Sequence, residues 1–164
     1  MIGEKAAKPF LKWAGGKTQL INHIENALPR DITRTNFTYI EPFVGSGAVL
    51  FWMLSNFPNM KKAVINDINA DLVNTYKIIA DNPKELISIL EILQNEFHAL
   101  EGNEENKKTY YYKKRELFNS RKEEQSVQAA LFIFLNRTCF NGLYRVNRKN
   151  EYNVPMGSYK KPNP

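Results

Sequence analysis

The chain has 164 residues, 43% of them hydrophobic, and a formal net charge of +6. That length suits one domain, or part of one, with a real core, and the charge favours an anionic partner. A single cysteine, Cys139, excludes a disulfide within this sequence and a cysteine-built metal cage.

Glu4, Lys5 and Lys8 stand among small residues at the start, without the apolar core of a signal peptide. The most apolar windows, 44–54 and 129–135, fall well short of the roughly 20 residues that span a bilayer. The expectation is a soluble protein of a reducing, cytoplasmic compartment, with no membrane contact. Leu20, Ile21, Ile24 and Leu28 recur at helical spacing after Gly15 and Gly16, and Pro29 ends that run. Phe37 to Ile40 reads as a short strand that meets the turn Pro42-Phe43-Val44-Gly45-Ser46-Gly47, and Ala48 to Leu54 continues as a buried helix. Ala63 to Ile65 reads as a second strand stopping at Asn66-Asp67. Leu72, Val73, Tyr76 and Ile79 then mark a helix that lasts until Asn82-Pro83. Strand, helix, strand, helix favours a parallel sheet. Leu86, Ile89, Leu90, Leu93 and Phe97 form a helical stripe, 101–108 is polar enough for a connecting loop, and two further helices are expected near 110–118 and 127–135.

Glycines after a strand let a ligand approach the backbone at a helix start, and an acidic residue roughly 20 positions later can accept hydrogen bonds from ribose hydroxyls. Gly45, Gly47 and Asp67 occupy those places. An ordinary tight turn with a solvated aspartate fits the same letters. Leu50 stands where a dinucleotide fingerprint needs its third glycine, which disfavours NAD. Leu11 stands where a P-loop ending in Gly16-Lys17-Thr18 needs its first, which disfavours a P-loop NTPase.

Three ordered stretches, Phe10-Leu11-Lys12-Trp13-Ala14-Gly15-Gly16-Lys17, Glu41-Pro42-Phe43-Val44-Gly45-Ser46-Gly47 and Asn66-Asp67-Ile68-Asn69, resemble the leading signatures of the Dam-type (D12 class) DNA adenine-N6 methyltransferases. The similarity continues through Leu135-Asn136-Arg137, through Phe140 to Asn147 and through Tyr152 to Pro162; only about 93–126 lacks a signature. The resemblance implies an α/β fold of the Rossmann-like S-adenosylmethionine-dependent methyltransferase type. A cofactor-binding core would occupy 1–82 and a helical and basic-loop target-recognition segment 83–164. It also implies S-adenosylmethionine as cofactor, with Trp13, Lys17, Glu41, Phe43, Gly45, Gly47 and Asp67 as its binding residues. Asp67 would take the ribose hydroxyls, Glu41 and the glycine backbone would line the methionine side, and Trp13 and Lys17 would close the pocket. Core packing is the alternative for Trp13, and a helix-start cation the alternative for Lys17.

Between Arg137 and Lys161 stand six basic residues, Arg137, Arg145, Arg148, Lys149, Lys160 and Lys161, against one acid, Glu151. Phe140, Tyr144, Tyr152 and Tyr159 alternate there with Asn136, Asn141, Asn147, Asn150 and Asn153. Cations, rings and amides in one stretch suit duplex DNA, although a solvated basic loop has the same composition. By resemblance Phe140 inserts near a displaced base, Asn141, Leu143 and Arg145 approach base edges, and Pro155 lies near the recognised bases. Tyr159 and Lys160 meet the backbone or an outer pair. Arg145 is the candidate for a bidentate guanine contact. GATC is the implied site. Ser158 departs from the pattern, since relatives usually carry arginine there.

Adenine-N6 transfer in this family uses [Asp/Asn/Ser]-Pro-Pro-[Tyr/Phe], whose polar group and proline carbonyl bind N6 while the ring stacks on the flipped base. That tetrapeptide occurs nowhere in the sequence. The expectation is therefore an adenine-specific enzyme represented without its catalytic motif, inactive as given, with no metal and with a restriction endonuclease as a candidate partner. A non-catalytic DNA-binding module is the alternative.

Overall fold

The computed structural model describes residues 7–158. Tyr159 and Lys160, expected on DNA, lie outside the described residues. The elements in order are a 3-10 turn Lys17–Leu20 leading into helix α1 (Ile21–Ala27), strand β1 (Phe37–Glu41), α2 (Ala48–Asn56), β2 (Met60–Ile65), α3 (Ala70–Asp81), α4 (Pro83–His98), α5 (Glu104–Ser120), α6 (Gln125–Thr138) and a 3-10 turn Phe140–Gly142. The fold is mixed α/β with a small parallel sheet, as the strand-helix alternation predicts. Among the described residues no helix is long and apolar enough to cross a membrane. The chain forms two compact units, one of residues 7–10 and Gly15–Ile68, the other of Leu11–Ala14 and 69–158.

In the first unit β1 and β2 pair in parallel, with Tyr39 opposite Ala63, Ile40 opposite Val64 and Glu41 opposite Ile65. Alternate strand residues face opposite ways. Phe37 and Tyr39 accordingly pack on the cluster of Val49, Met53 and Phe57, while Ile40 and Val64 stand 67% and 40% exposed. β2 begins three residues earlier than the apolar run Ala63 to Ile65, because Met60, Lys61 and Lys62 also take extended backbone.

In the second unit α6 is the central helix. Ala129 to Leu135 are all buried, and α3, α4 and α5 pack around them, so this helix is apolar on every side rather than along one stripe. Phe97 and Tyr110 meet Phe134 edge to face, at centroid distances of 5.5 and 5.9 Å. The polar stretch expected as a loop over 101–108 is, from Glu104 onward, the first turn of α5. The Asn103 side chain accepts the Asn106 N–H at 3.0 Å, and Glu104 and Glu105 lie at the positive end of the helix dipole. A polar run can be a cap and an exposed helix face as readily as a loop.

Candidate functional site

The turn after β1 is held by backbone bonds that prolong the parallel ladder. Asn66 N–H donates to Glu41 O, and Val44 N–H to Asn66 O, each at 2.9 Å. These bonds bring the ends of both strands together, so that Gly45 N–H donates to Asp67 Oδ2 at 2.9 Å. Gly45 and Gly47 have φ of 51° and 78°, a left-handed backbone that costs other residues about 1–2 kcal/mol. Gly47 is the N-cap of α2 and supplies no side-chain cap, which leaves the first amides of that helix aimed out of its N-terminus.

Lys17 reaches this turn from the 3-10 segment. Its ammonium donates to Glu41 Oε1 at 3.1 Å and to the Phe43 carbonyl. Tyr39 hydroxyl donates to Glu41 Oε2 at 2.7 Å, and burial, then the adjoining carboxylate, pushes that hydroxyl well above the usual tyrosine range. Glu41 is only 6% exposed, so it serves as a buried anchor that receives a donor on each oxygen. A lysine where the helix dipole disfavours it is thereby explained by a partner. Phe43 and Ile68 flank the turn at 68% and 95% exposure. The sequence reading does not single out Ile68. Its signal is exposure of a large apolar side chain beside Asp67, which only the structure supplies.

Lys17, Glu41, Phe43, Gly45, Gly47 and Asp67 thus gather within the first unit, whereas Trp13 belongs to the second. There Lys12 N–H donates to Asn136 Oδ1 at 2.9 Å, and Asn136 Nδ2 donates to Lys12 O at 2.9 Å and to Gly142 O at 3.0 Å. The Trp13 ring stacks on Tyr144 at 5.2 Å and 27° and leans on Phe132 at 6.1 Å. Tyr144 hydroxyl donates to Asp71 Oδ2 at 3.1 Å, and Arg121 pairs with the other oxygen of that carboxylate. Burial, above all, raises the Tyr144 hydroxyl pKa.

The basic stretch forms a hairpin. Val146 bridges Tyr152 in antiparallel fashion, and Asn147 closes the tip, its Oδ1 accepting the N–H groups of Lys149 at 2.8 Å and Glu151 at 3.0 Å. Arg148 and Lys149 are exposed at that tip. Phe140 and Leu143 are exposed at 51% and 41%. Asn141, at φ 54°, and Pro155 are also exposed, and the Pro155 carbonyl accepts Phe140 N–H at 2.9 Å. Arg145 is exposed, but its guanidinium donates across the hairpin to Asn153, Nε to Oδ1 at 2.7 Å and Nη2 to O at 3.2 Å. The amides of Asn136, Asn147 and Asn153 therefore brace the protein itself. Asx-type bonds to nearby backbone account for Asn147.

The hairpin is fastened to α5. Asn119 binds Tyr152 in both directions, Nδ2 to O at 3.0 Å and N–H to Oδ1 at 2.8 Å. Tyr111 hydroxyl donates to Val154 O at 2.9 Å. Cys139 is buried, its thiol directed at the carbonyls of Asn136 and Leu143 at 3.4 and 3.3 Å, and burial raises its pKa. That is a structural thiol rather than a nucleophile. Among the described residues no group of three His, Cys, Asp or Glu could hold a metal ion.

A family model described as D12 class N6 adenine-specific DNA methyltransferase matches residues 13–164. The chain is 51% identical over 158 residues to the Type II methyltransferase M.MjaIII of Methanocaldococcus jannaschii, covering 94% of this chain and 54% of that protein. It is 40% identical to the Type II methyltransferase M1.LlaDCHI of Lactococcus lactis subsp. cremoris, covering 94% and 49%. It is 43% identical to the DNA adenine methylase of Haemophilus influenzae, covering 93% and 48%. The chain spans about half the length of the curated relatives it matches.

Proposed function

The chain belongs to the D12 class N6 adenine-specific DNA methyltransferases, and from that premise we propose that it binds S-adenosylmethionine and duplex DNA for methyl transfer to adenine N6. The observation that carries the cofactor reading is the junction of Gly45 N–H with Asp67 Oδ2 at the ends of two parallel strands. Ligands of open parallel sheets lie beyond the carboxyl ends of the strands, beside a glycine turn and a helix N-terminus. We read β1, α2 and β2 as the opening of a Rossmann-like methyltransferase sheet on the same ground.

The residues fit that cofactor. A ribose diol needs an acceptor, and the Asp67 carboxylate supplies acceptor oxygens at the glycine turn, beside Gly45 N–H. Lys17 and the amides near Gly45 and Gly47 offer donors to a carboxylate, and Phe43 and Ile68 offer apolar surface. The resemblance adds Trp13 to this set. Glu41 acts through Lys17, which it holds. Bound there, the cofactor supplies a methyl group on a sulfonium, and the chain's part is to fix its orientation.

For DNA, Arg148 and Lys149 at the hairpin tip suit phosphates, and Phe140, Asn141, Leu143, Arg145 and Pro155 are the candidates for the bases. Tyr159 and Lys160 extend that set by resemblance. The braced guanidinium of Arg145 arrives in a set orientation, which favours bidentate reading of a guanine in GATC. Two relatives named Type II methyltransferases support a restriction endonuclease as the companion activity in the same compartment. A second reading, a DNA-binding module without chemistry, draws on the absent Pro-Pro tetrapeptide.

Calorimetric titration of the chain with S-adenosylmethionine tests the cofactor reading, and competition between GATC and scrambled duplexes tests the recognition reading. Saturable cofactor heat that vanishes in Asp67→Ala, with preference for GATC, is expected. Equal cofactor affinity in parent and Asp67→Ala chains overturns the assignment.

A further inference from the structure

Asn136 is 1% exposed on α6 and is assigned to neither ligand, yet its side chain makes three bonds. It accepts Lys12 N–H and donates to the Lys12 and Gly142 carbonyls. Both amide hydrogens and one oxygen lone pair are thus committed. One partner segment carries Trp13; the other is the turn that presents Phe140, Asn141 and Leu143. A second observation concerns the same joint. Gly142 has φ +63°, and a Cβ there would fall inside contact distance of Lys12 Cβ, Cγ and Cδ, so this glycine allows the turn to close on the Lys12 side chain. Beyond the joint the Trp13 ring stacks on Tyr144, at the base of the hairpin.

We propose that Asn136 and Gly142 form a joint that couples the cofactor-facing segment 11–14 to the DNA-facing turn 140–144, so that each ligand tightens the binding of the other. Asn136 and Gly142 are buried and the joint is bonded at three points, so displacement of the turn by DNA is carried to the segment of Trp13. Coupling of this kind is a free energy shared by two sites and acts equally in both directions. Asn136 and Gly142 touch neither ligand; they are positioning residues. The inference rests on reading Trp13 as a cofactor wall and 140–145 as a DNA contact.

The sequence has two tryptophans, Trp13 and Trp52, so a Trp52→Phe background leaves Trp13 as the sole indole reporter. In that background three affinities are read: S-adenosylmethionine alone, a GATC duplex alone, and each with the other saturating. A mutual tightening of about tenfold is expected, within the usual range of coupling, together with a change in Trp13 emission on adding duplex alone. Asn136→Ala and Gly142→Ala, one deleting the bonds and one wedging the segments apart, are expected to bring the factor close to one while each ligand still binds. A parent factor of one, an unchanged factor in a folded variant, or Trp13 emission indifferent to DNA overturns the coupling; the first is read by calorimetry on the unsubstituted chain and needs no variant to fold. Failure of the parent to bind one ligand at all is a different result. It overturns the functional reading and removes the coupling with it.

Discussion

Gly45 and Asp67, 22 positions apart, are joined by a 2.9 Å hydrogen bond from the glycine N–H to carboxylate Oδ2. The bond fixes the acidic side chain at the glycine turn and gives the turn a reason to keep its left-handed backbone. Asp67→Ala removes both, and loss of measurable S-adenosylmethionine binding is expected by calorimetry. Asp67→Asn keeps an acceptor for Gly45 but loses the charge, and should bind more weakly than the parent yet detectably. Gly45→Ala should destabilise the chain by about 1–2 kcal/mol in denaturant titration, the penalty of a left-handed alanine.

Arg145 and Lys149 should separate when DNA binding is measured against salt. Lys149 is exposed at the hairpin tip, so Lys149→Ala should weaken GATC and scrambled duplexes alike and lower the log-log salt slope by about one. Arg145→Ala should cost about 1–3 kcal/mol on GATC and little on the scrambled duplex. Asn153→Ala unties the guanidinium and should reduce the preference in the same direction but less. Equal losses on both duplexes in Arg145→Ala contradict a base-reading role.

The hairpin also predicts how the protein meets alkali. Burial raises the hydroxyl pKa of Tyr111, Tyr144 and Tyr152, and Tyr152 donates to Leu143 O at 3.0 Å. A group whose pKa is higher folded than unfolded contributes stability that is full below the unfolded value, about 10 for tyrosine. That stability is lost as pH rises from there through the folded value. Stability should therefore be flat in this contribution at neutral pH and decline above about pH 10. These three, with Tyr39 and Tyr110, should ionise above the usual tyrosine range, seen as a late step in phenolate absorbance that, for buried Tyr111 and Tyr152, accompanies loss of helical signal. Tyr152→Phe should move that unfolding to higher pH if it folds normally at neutrality.

Local order was legible in the sequence where pattern and function coincide. Periodicity places α2, α3, α4 and α6, and the glycines after β1 mark the turn that Asp67 joins. What was not legible depends on contacts between distant positions. Lys12 and Asn136 are 124 residues apart, and nothing local says that an asparagine in an apolar helix will bind the backbone of the chain's beginning. Arg145 and Asn153 read as two separate DNA-facing groups, because a hairpin pairing is needed to show that one braces the other. The start of α5 was hidden for a different reason: Asn103, Glu104 and Glu105 are as polar as a loop, and only their capping geometry distinguishes them.

The last expectation concerns chemistry. Nowhere in the sequence is there [Asp/Asn/Ser]-Pro-Pro-[Tyr/Phe], so within these residues no acceptor of that kind orients adenine N6 and no ring of that motif holds a flipped base, and the unstacking of the base goes uncompensated. Transfer of labelled methyl groups to a GATC duplex by residues 1–164 alone should be undetectable. The first unit points to a remedy. Ile40 and Val64 are cross-strand neighbours on the exposed face of a two-stranded sheet, and such a face invites association. A separate fragment from the part of a relative that this chain does not match, chosen to carry such a tetrapeptide, should restore methylation when mixed with the chain and suppress any concentration-dependent association. Ile40→Thr with Val64→Thr should suppress association without restoring methylation, which separates covering the sheet from supplying the catalytic group. Sustained turnover by the unaccompanied chain would require a different group to hold N6, and would overturn the role given to the missing tetrapeptide.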